Sequence, residues 1–141
     1  MTSKRRVLRE IVAKMLFQYD FRPDEIEDIV REGTEKIKDK ELKNEVIRYV
    51  NNIFENIEKI DEIISQQLIN WNFDRVSYLE RSVLRLGTYE LLYELDIPIE
   101  VTLDEMIEIA KKFGSQESGK FVNGILDRIA KKCAPKEKFS L

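Results

Sequence analysis

The chain has 141 residues, of which 43% are hydrophobic and 36% are charged, and its formal net charge at pH 7 is −3. This length and apolar content predict one domain with a buried core and exclude a disordered segment. No apolar run approaches the roughly 18 residues that cross a bilayer, and no apolar signal-peptide segment follows the basic start. We therefore expect a cytoplasmic protein that does not contact membranes.

Helical periodicity extends through nearly the whole sequence, and no segment alternates polar and apolar residues as a strand would. The first predicted helix covers about residues 5–20, and its apolar stripe consists of Leu8, Ile11, Val12, Met15, Leu16 and Tyr19. Arg6, Arg9 and Phe17 fall outside this stripe at 100° per residue, so we expect the two arginines to be off the buried face. Two roles are possible for Phe17: a second packing contact within the protein, or an exposed contact with a partner.

The next predicted helices complete the N-terminal half. A short helix follows Pro23 and runs to about Arg31, with Gly33 as its end signal. A long helix is predicted over residues 40–69 because one apolar stripe continues through it. The segment 71–74 then forms a hinge, with Asp74 as a candidate N-cap for the following helix.

The C-terminal half begins with a helix over about residues 75–95 whose apolar residues cover more than one face, which predicts a central helix with Gly87 at a close contact. Pro98 interrupts it. Thr102 and Glu105 form a capping box that opens a helix ending near residue 113. Ser115 or Ser118 caps the last helix, and residues 134–141 are predicted to be a frayed tail.

Charge is segregated along the chain. Residues 1–14 contain five basic residues and one acidic residue, a net charge of +4, and residues 111–141 contain eight basic and three acidic residues, a net charge of +5. The middle therefore carries −12. If the two basic ends meet, they form one electropositive face that attracts a polyanion; two independent solvated ends are the alternative.

Both ends carry groups suited to RNA. The basic start contains Lys4, Arg5, Arg6 and Arg9. Arginine binds phosphate bidentately and stacks on bases. The last helix places Gly119 and Gly124 beside Lys120, Phe121 and Asn123, which supply a phosphate contact, a stacking ring and a base-edge group. Close packing of a neighbouring helix is the alternative role of the glycines.

Catalytic and cofactor motifs are absent from the sequence. There is no histidine and no cysteine cluster with metal-ligand spacing. The glycine-rich phosphate-binding motifs G-x-x-x-x-G-K-[ST] and G-x-G-x-x-G are also absent. Cys133, the only cysteine, forms no internal disulfide. We expect a protein that is not an enzyme and that needs no metal or cofactor.

Five segments together resemble the NusB family of bacterial transcription antitermination factors across essentially the whole chain. They are Arg5-Arg6-x-x-Arg9-Glu10, Leu79-Glu80-Arg81-x-Val83-Leu84-Arg85-Leu86-Gly87-x-Tyr89-Glu90-Leu91, Asp96-Ile97-Pro98-x-x-Val101, Glu108-x-Ala110-Lys111-Lys112-Phe113-Gly114 and Ser118-x-Lys120-Phe121-Val122-Asn123-Gly124-x-Leu126-Asp127. The resemblance implies an all-α fold with two packed three-helix subdomains and six or seven helices in total. We expect the subdomains at about residues 1–72 and 73–134, followed by a short tail at 135–141.

The resemblance also implies a function. NusB-like proteins bind the boxA sequence of single-stranded RNA together with NusE, a small-subunit ribosomal protein, within the elongation complex of RNA polymerase and other Nus factors. They support transcription of ribosomal RNA. The implied RNA-binding residues are Lys4, Arg5, Arg6, Arg9, Phe113, Glu117, Lys120, Phe121 and Asn123, where Glu117 replaces a common Asp. The implied NusE contacts are Phe17, Glu80 and Arg85.

Two alternatives remain open at this stage. One is a helical module that binds only protein, through Phe17 and the region of Glu80. The other is the RNA-targeting domain fused to certain ribosomal RNA methyltransferases, although the sequence carries no pattern of the α/β domain that those enzymes need. Glu80 and Arg85 are either a solvated pair or hydrogen-bonding groups at an interface rim. Every interpretation in which the chain binds RNA requires the first and last helices to lie side by side.

Overall fold

A computed structural model describes residues 3–141 and consists of helices throughout, with no strand in that range. The α-helices are α1 (Lys4–Phe21), α2 (Ile26–Thr34), α3 (Lys40–Glu55), α4 (Ile57–Gln66), α5 (Tyr78–Tyr93), α6 (Ile99–Phe113) and α7 (Gln116–Cys133), with short 3-10 helices at Phe73–Arg75 and Lys136–Ser140. The predicted all-α class is confirmed, with seven α-helices in the described chain. None of these helices is both long and apolar enough to cross a membrane.

Helix α5 is the centre of the molecule, as its apolar pattern predicts. Every residue from Ser82 to Leu91 is buried, and α1, α4, α6 and α7 all pack against it. A Cβ on Gly87 would lie 2.6 Å from Leu126 Cδ1 and 3.0 Å from Met106 Cγ, so this glycine allows the close approach of α6 and α7. One continuous apolar core includes residues from all seven helices, and the predicted division near residue 72 stays a prediction.

Several helix boundaries differ from the sequence predictions for local reasons. The predicted long helix breaks at Asn56, whose backbone leaves helical geometry and whose side chain donates to the Asn52 carbonyl. Gly33 is inside α2, which continues to Thr34, and it lies against the tip of the Met15 side chain. Ser77, not Asp74, caps α5 by accepting a hydrogen bond from the Glu80 backbone N–H.

The capping-box prediction for α6 is also wrong. Pro98 occupies the N-cap position and α6 begins at Ile99, one turn before Thr102. Thr102 is buried inside the helix, where its hydroxyl donates to Glu90 Oε1 at 2.8 Å. At the last helix, Ser115 is the cap and accepts from the Ser118 backbone N–H.

The C-terminal tail is ordered instead of frayed. Residues Lys136–Ser140 form a 3-10 helix, and Lys138 is buried with its Nζ donating to the Glu90 carbonyl at 2.6 Å. Burial in this position lowers the pKa of the Lys138 ammonium, while the carboxylates of Glu90, Glu94 and Asp96 oppose that shift. The tail therefore covers the C-terminal half of α5.

Candidate nucleic-acid interface

The basic residues at the start of α1 are held by carboxylates from other helices. Lys4 Nζ lies 2.9 Å from Asp39 Oδ2. Arg6 makes a bidentate pair with Glu105 of α6, at 3.1 Å from Nε and 2.8 Å from Nη2. The hydrogen bonds from Arg6 hold the pKa of the Glu105 carboxyl below its ordinary value. The Arg6 side chain is 52% exposed, so its guanidinium is also accessible from solvent.

Arg5 is intermediate in exposure and less strongly paired. Its Nη2 lies 3.9 Å from Asp96 Oδ2, at the edge of an ion pair. Its Nη1 is buried and has no hydrogen-bond partner among the described residues. The unpaired Nη1 faces the interior, so the exposed part of the Arg5 guanidinium is what a ligand could contact.

The expectation that Arg9 lies off the buried face is wrong. Arg9 is only 3% exposed and forms a bidentate pair with the fully buried Glu90 of α5, at 2.7 Å from Nε and 3.1 Å from Nη2. Glu90 also accepts hydrogen bonds from Tyr49 and Thr102. A helical wheel does not reveal this burial, because the partner comes from a distant segment. In this structure the Arg9 guanidinium is not available to a ligand.

The end of α6 brings cations and a ring next to α1. Lys112 Nζ lies 3.0 Å from Glu10 Oε2. Phe113 is 42% exposed, with Lys14 Nζ and Lys112 Nζ at 5.5 Å and 5.3 Å from its ring centroid. An open groove of about 570 Å³ runs between α1 and α6, lined by Arg6, Glu10, Glu105, Glu108, Ile109, Lys111 and Lys112. The exposed ring between ammonium groups has the chemistry of a single-strand stacking site.

The first half of α7 supplies the second predicted group. Lys120 and Glu117 are exposed and only 3.8 Å apart. Phe121 is partly buried edge-on to Trp71, with ring centroids 6.2 Å apart. Asn123 is partly exposed, and its side chain makes no hydrogen bond within residues 3–141. These groups are accessible to a ligand along one side of the helix.

The two basic groups are connected through α6 and are not direct neighbours, so the expectation of side-by-side first and last helices needs correction. No hydrogen bond or ion pair joins α1 to α7 among the described residues. On one side, Glu105 and Lys112 of α6 pair with α1. On the other, a Cβ on Gly119 of α7 would lie 2.8 Å from Lys111 Cγ. We call the resulting strip, from Arg6 across Lys112 and Phe113 to Lys120 and Phe121, the α1–α6–α7 edge.

Phe17 lies further along the same side of α1 as Arg6, at an apolar surface next to Phe113. It is partly buried and lines a cleft of about 240 Å³ with Ala13, Lys14, Leu79, Ile109 and Phe113. Phe17 also packs edge-on to Phe21 at 5.1 Å, and Phe21 packs on Tyr78 at 4.8 Å. Phe21 is 58% exposed and Tyr78 36% exposed. Neither of these two rings is among the contacts predicted from the sequence, although Phe21 lies one helical turn after Phe17.

Glu80 and Arg85 have different environments, and neither forms the solvated pair considered from the sequence. Glu80 is partly exposed in the first turn of α5, near Tyr78. Arg85 is buried, pairs with Asp61 at 2.8 Å and Asp20 at 3.1 Å, and lies over the rings of Tyr19 and Phe73. Arg85 therefore joins α1, α4 and α5 internally and is not accessible at a rim.

No group of three or more His, Cys, Asp or Glu side chains in the described chain is arranged to hold a metal ion. The surface described above offers cationic side chains, aromatic rings and hydrogen-bond donors, which are the groups that bind a nucleic acid.

Comparisons with known proteins agree with these features. The family model described as the NusB family matches residues 6–131. The transcription antitermination protein NusB of Fervidobacterium nodosum is 66% identical over the full length of both chains. A solved structure of Thermotoga maritima NusB superposes with a TM-score of 0.93 at 56% identity, covering 100% of both chains. A chain from a crystal structure of antitermination factors NusB and NusE in complex with dsRNA superposes with a TM-score of 0.85 at 31% identity, covering 93% of this chain and 98% of that chain.

Proposed function

Because this chain belongs to the NusB family, we propose that it binds boxA-type single-stranded RNA together with NusE and supports transcription of ribosomal RNA. Its role is that of a transcription antitermination factor, not of an enzyme. It acts in the cytoplasm, within the elongation complex that contains RNA polymerase and other Nus factors. The observation that carries the proposal is the similarity, over 93% of this chain, to a chain solved with NusE and dsRNA.

The α1–α6–α7 edge is the RNA-binding surface in this proposal. Support comes from Arg6, Lys112 and Lys120, which are all exposed cations, and from the exposed ring of Phe113. Phe121 belongs to the same strip, and Glu117 and Asn123 are its neighbours on α7. Lys4 and Arg5 face the groove between α1 and α3 at the start of α1, next to Arg6 in the chain. Cations bind the phosphates, rings stack on bases, and the Asn123 amide reads a base edge. Arg9 takes no part, because its guanidinium is committed to Glu90.

Competition between phosphate and protein carboxylates shapes this binding. Arg6 and Lys112 are paired with Glu105 and Glu10 before RNA arrives. In each pair the cation is exposed and the carboxylate is partly buried, so a phosphate can reach the cation from solvent and displace the carboxylate. Pairing also limits non-specific attraction of polyanions.

NusE binds the aromatic surface in this proposal. Phe17, Phe21 and Tyr78 form a continuous row of rings with substantial exposed area, and Glu80 lies two residues after Tyr78 in the first turn of α5. Exposed aromatic residues in a cluster are typical of the centre of a protein–protein interface. The cleft beside Phe17 also contains Phe113, so the partner surface continues into the RNA surface. Arg85 supports this surface from inside.

The test is fluorescence anisotropy of a labelled boxA-type RNA across a salt series, with this chain alone and with NusE. Log affinity should fall with log salt by roughly 0.7 for each phosphate neutralised. Arg6→Ala and Lys120→Ala should each reduce the slope by roughly that amount, whereas Lys59→Ala on α4 should leave it unchanged. Equal slopes for all variants would overturn the assignment of the RNA surface.

A further inference from the structure

The glycine at position 124 has no structural reason within this protein. It lies in the middle of α7, where glycine costs about 1 kcal/mol relative to alanine. The other four glycines each have a neighbouring atom within 3 Å of where a Cβ would be. At Gly124 the nearest atom to that position is Arg128 Nη1, at 3.9 Å, and the space is otherwise open. The bare helix surface is therefore free for an approaching ligand.

An exposed tryptophan stands beside this bare surface. Trp71 is 53% exposed in the connection between α4 and α5, and its ring packs edge-on to Phe121, one helical turn before Gly124. Asn70 turns the chain with a left-handed backbone, φ 65°, immediately before the tryptophan. Leaving a large ring in water is unfavourable unless something covers it.

The charges around Gly124 favour a polyanion. Lys120 lies one turn before it and Arg128 one turn after it on the same face. Arg128 donates from Nη2 to the Gln67 carbonyl at 2.8 Å, while its Nε has no partner among the described residues. Two carboxylates lie nearby: Glu117 is exposed near Lys120, and Asp127 is paired with Lys131 at 2.9 Å.

We propose that Trp71, Gly124 and Arg128 bind one further nucleotide of single-stranded RNA, extending the α1–α6–α7 edge past Phe121. The sugar–phosphate backbone packs on the helix at Gly124, its phosphate contacts Lys120 and Arg128, and its base stacks on the Trp71 indole. The site is continuous with Lys120 and Phe121, so the inference rests on the proposed RNA-binding function. RNA is favoured over a protein partner because rings and cations alternate here.

The experiment uses Trp71 as its own reporter, because it is the only tryptophan in the chain. A fluorescein-labelled boxA-type RNA, extended by a few nucleotides at either end, gives the affinity by anisotropy. An unlabelled copy gives the tryptophan emission. We expect emission to be quenched with the same midpoint as the anisotropy. Trp71→Ala should weaken binding at least about fivefold, the loss of one stacked base, and Trp71→Phe should retain most of it.

Gly124 gives a variant pair in which stability and binding move in opposite directions. Gly124→Ala should raise the melting temperature by a few degrees, because alanine favours the helix and meets no neighbour. It should nevertheless weaken RNA binding, and Gly124→Leu should weaken it further. If Gly124→Ala is more stable than the wild type and still binds RNA more weakly, misfolding cannot explain the loss of binding.

The outcomes separate this inference from the proposed function. RNA binding with unchanged emission and with Trp71→Ala equal to the wild type overturns the extended site and leaves the proposed function intact. No anisotropy change with any RNA overturns both. If Gly124→Leu weakens association with NusE but not with RNA, the surface binds protein and the inference is wrong.

Discussion

Two arginines one turn apart on α1 show how a single residue's role depends on its partner. Arg6 is exposed and pairs with Glu105, whereas Arg9 is buried and pairs with Glu90. Glu90 is fully buried and also receives hydrogen bonds from Tyr49 and Thr102. Removing one partner of a buried pair leaves an uncompensated charge, which costs far more than breaking an exposed pair. Arg9 therefore contributes to the stability of the fold, whereas the exposed guanidinium of Arg6 is accessible to a ligand.

Arg9→Ala should destabilise the fold by about 3–5 kcal/mol, because Glu90 would keep a buried charge without its counterion. Urea unfolding followed by circular dichroism measures the change. Arg6→Ala is the matched control, on the same helix and with the same side chain, and should unfold close to the wild type. Equal midpoints for the two variants would contradict the distinction drawn between these arginines.

Glu105→Gln should strengthen RNA binding about two- to fivefold, the effect of removing the charge of one partly buried competing carboxylate. Arg6 then meets the phosphate without first leaving a charged partner. Anisotropy at low salt measures the change, which should shrink as salt screens it. Weaker binding by this variant would indicate that Glu105 orients Arg6 for RNA rather than competing with it.

At the scale of elements, the C-terminal segment is joined to the central helix through one lysine. Lys138 reaches the Glu90 carbonyl near the C-terminal end of α5, close to the carboxylates of Glu90 and Glu94. The aliphatic stem is covered, and the ammonium satisfies a backbone acceptor. The predicted frayed tail is wrong, since the last residues form a 3-10 helix whose Lys138 is buried against α5.

Lys138→Glu should release the tail, because it would place a buried carboxylate beside two others. Amide hydrogen exchange should accelerate across residues 134–141 while α5 remains protected. Lys136→Glu, at an exposed position in the same 3-10 helix, is the control and should exchange like the wild type. Unchanged tail protection in Lys138→Glu would show that the tail docks without this contact.

For the whole molecule, charge is arranged so that carboxylates hold most of the basic side chains in place. Arg48 hydrogen-bonds to Glu45 and to the buried Glu94. For Glu94, burial acts to raise the pKa, but the hydrogen bonds from Arg48 and Tyr89 outweigh it, so the pKa is lowered overall. The pKa values of Glu105 and Asp39 are also lowered, mainly by hydrogen bonds from Arg6 and Lys4.

These lowered pKa values determine how stability depends on pH. A carboxyl whose pKa is lower in the folded state stabilises the protein above its unfolded pKa and loses that contribution as the pH falls. The melting temperature should therefore be flat between about pH 5.5 and 7, because the chain has no histidine. It should fall steeply below about pH 4, where ordinary carboxyls protonate. Calorimetric scans at a series of pH values measure this, and a clear change of the melting temperature with pH around pH 6 would contradict it.

The amino-acid sequence by itself determined the helical class, the central position of α5 and the family, because periodicity and local motifs carry those features. Only the tertiary structure decided which of the predicted site residues are available to a ligand. Arg9 and Arg85 are held by partners 81 and up to 65 residues away, and Arg6 by one 99 residues away. Helical periodicity reports which face of a helix is apolar, but it carries no information about which distant charge a buried arginine meets.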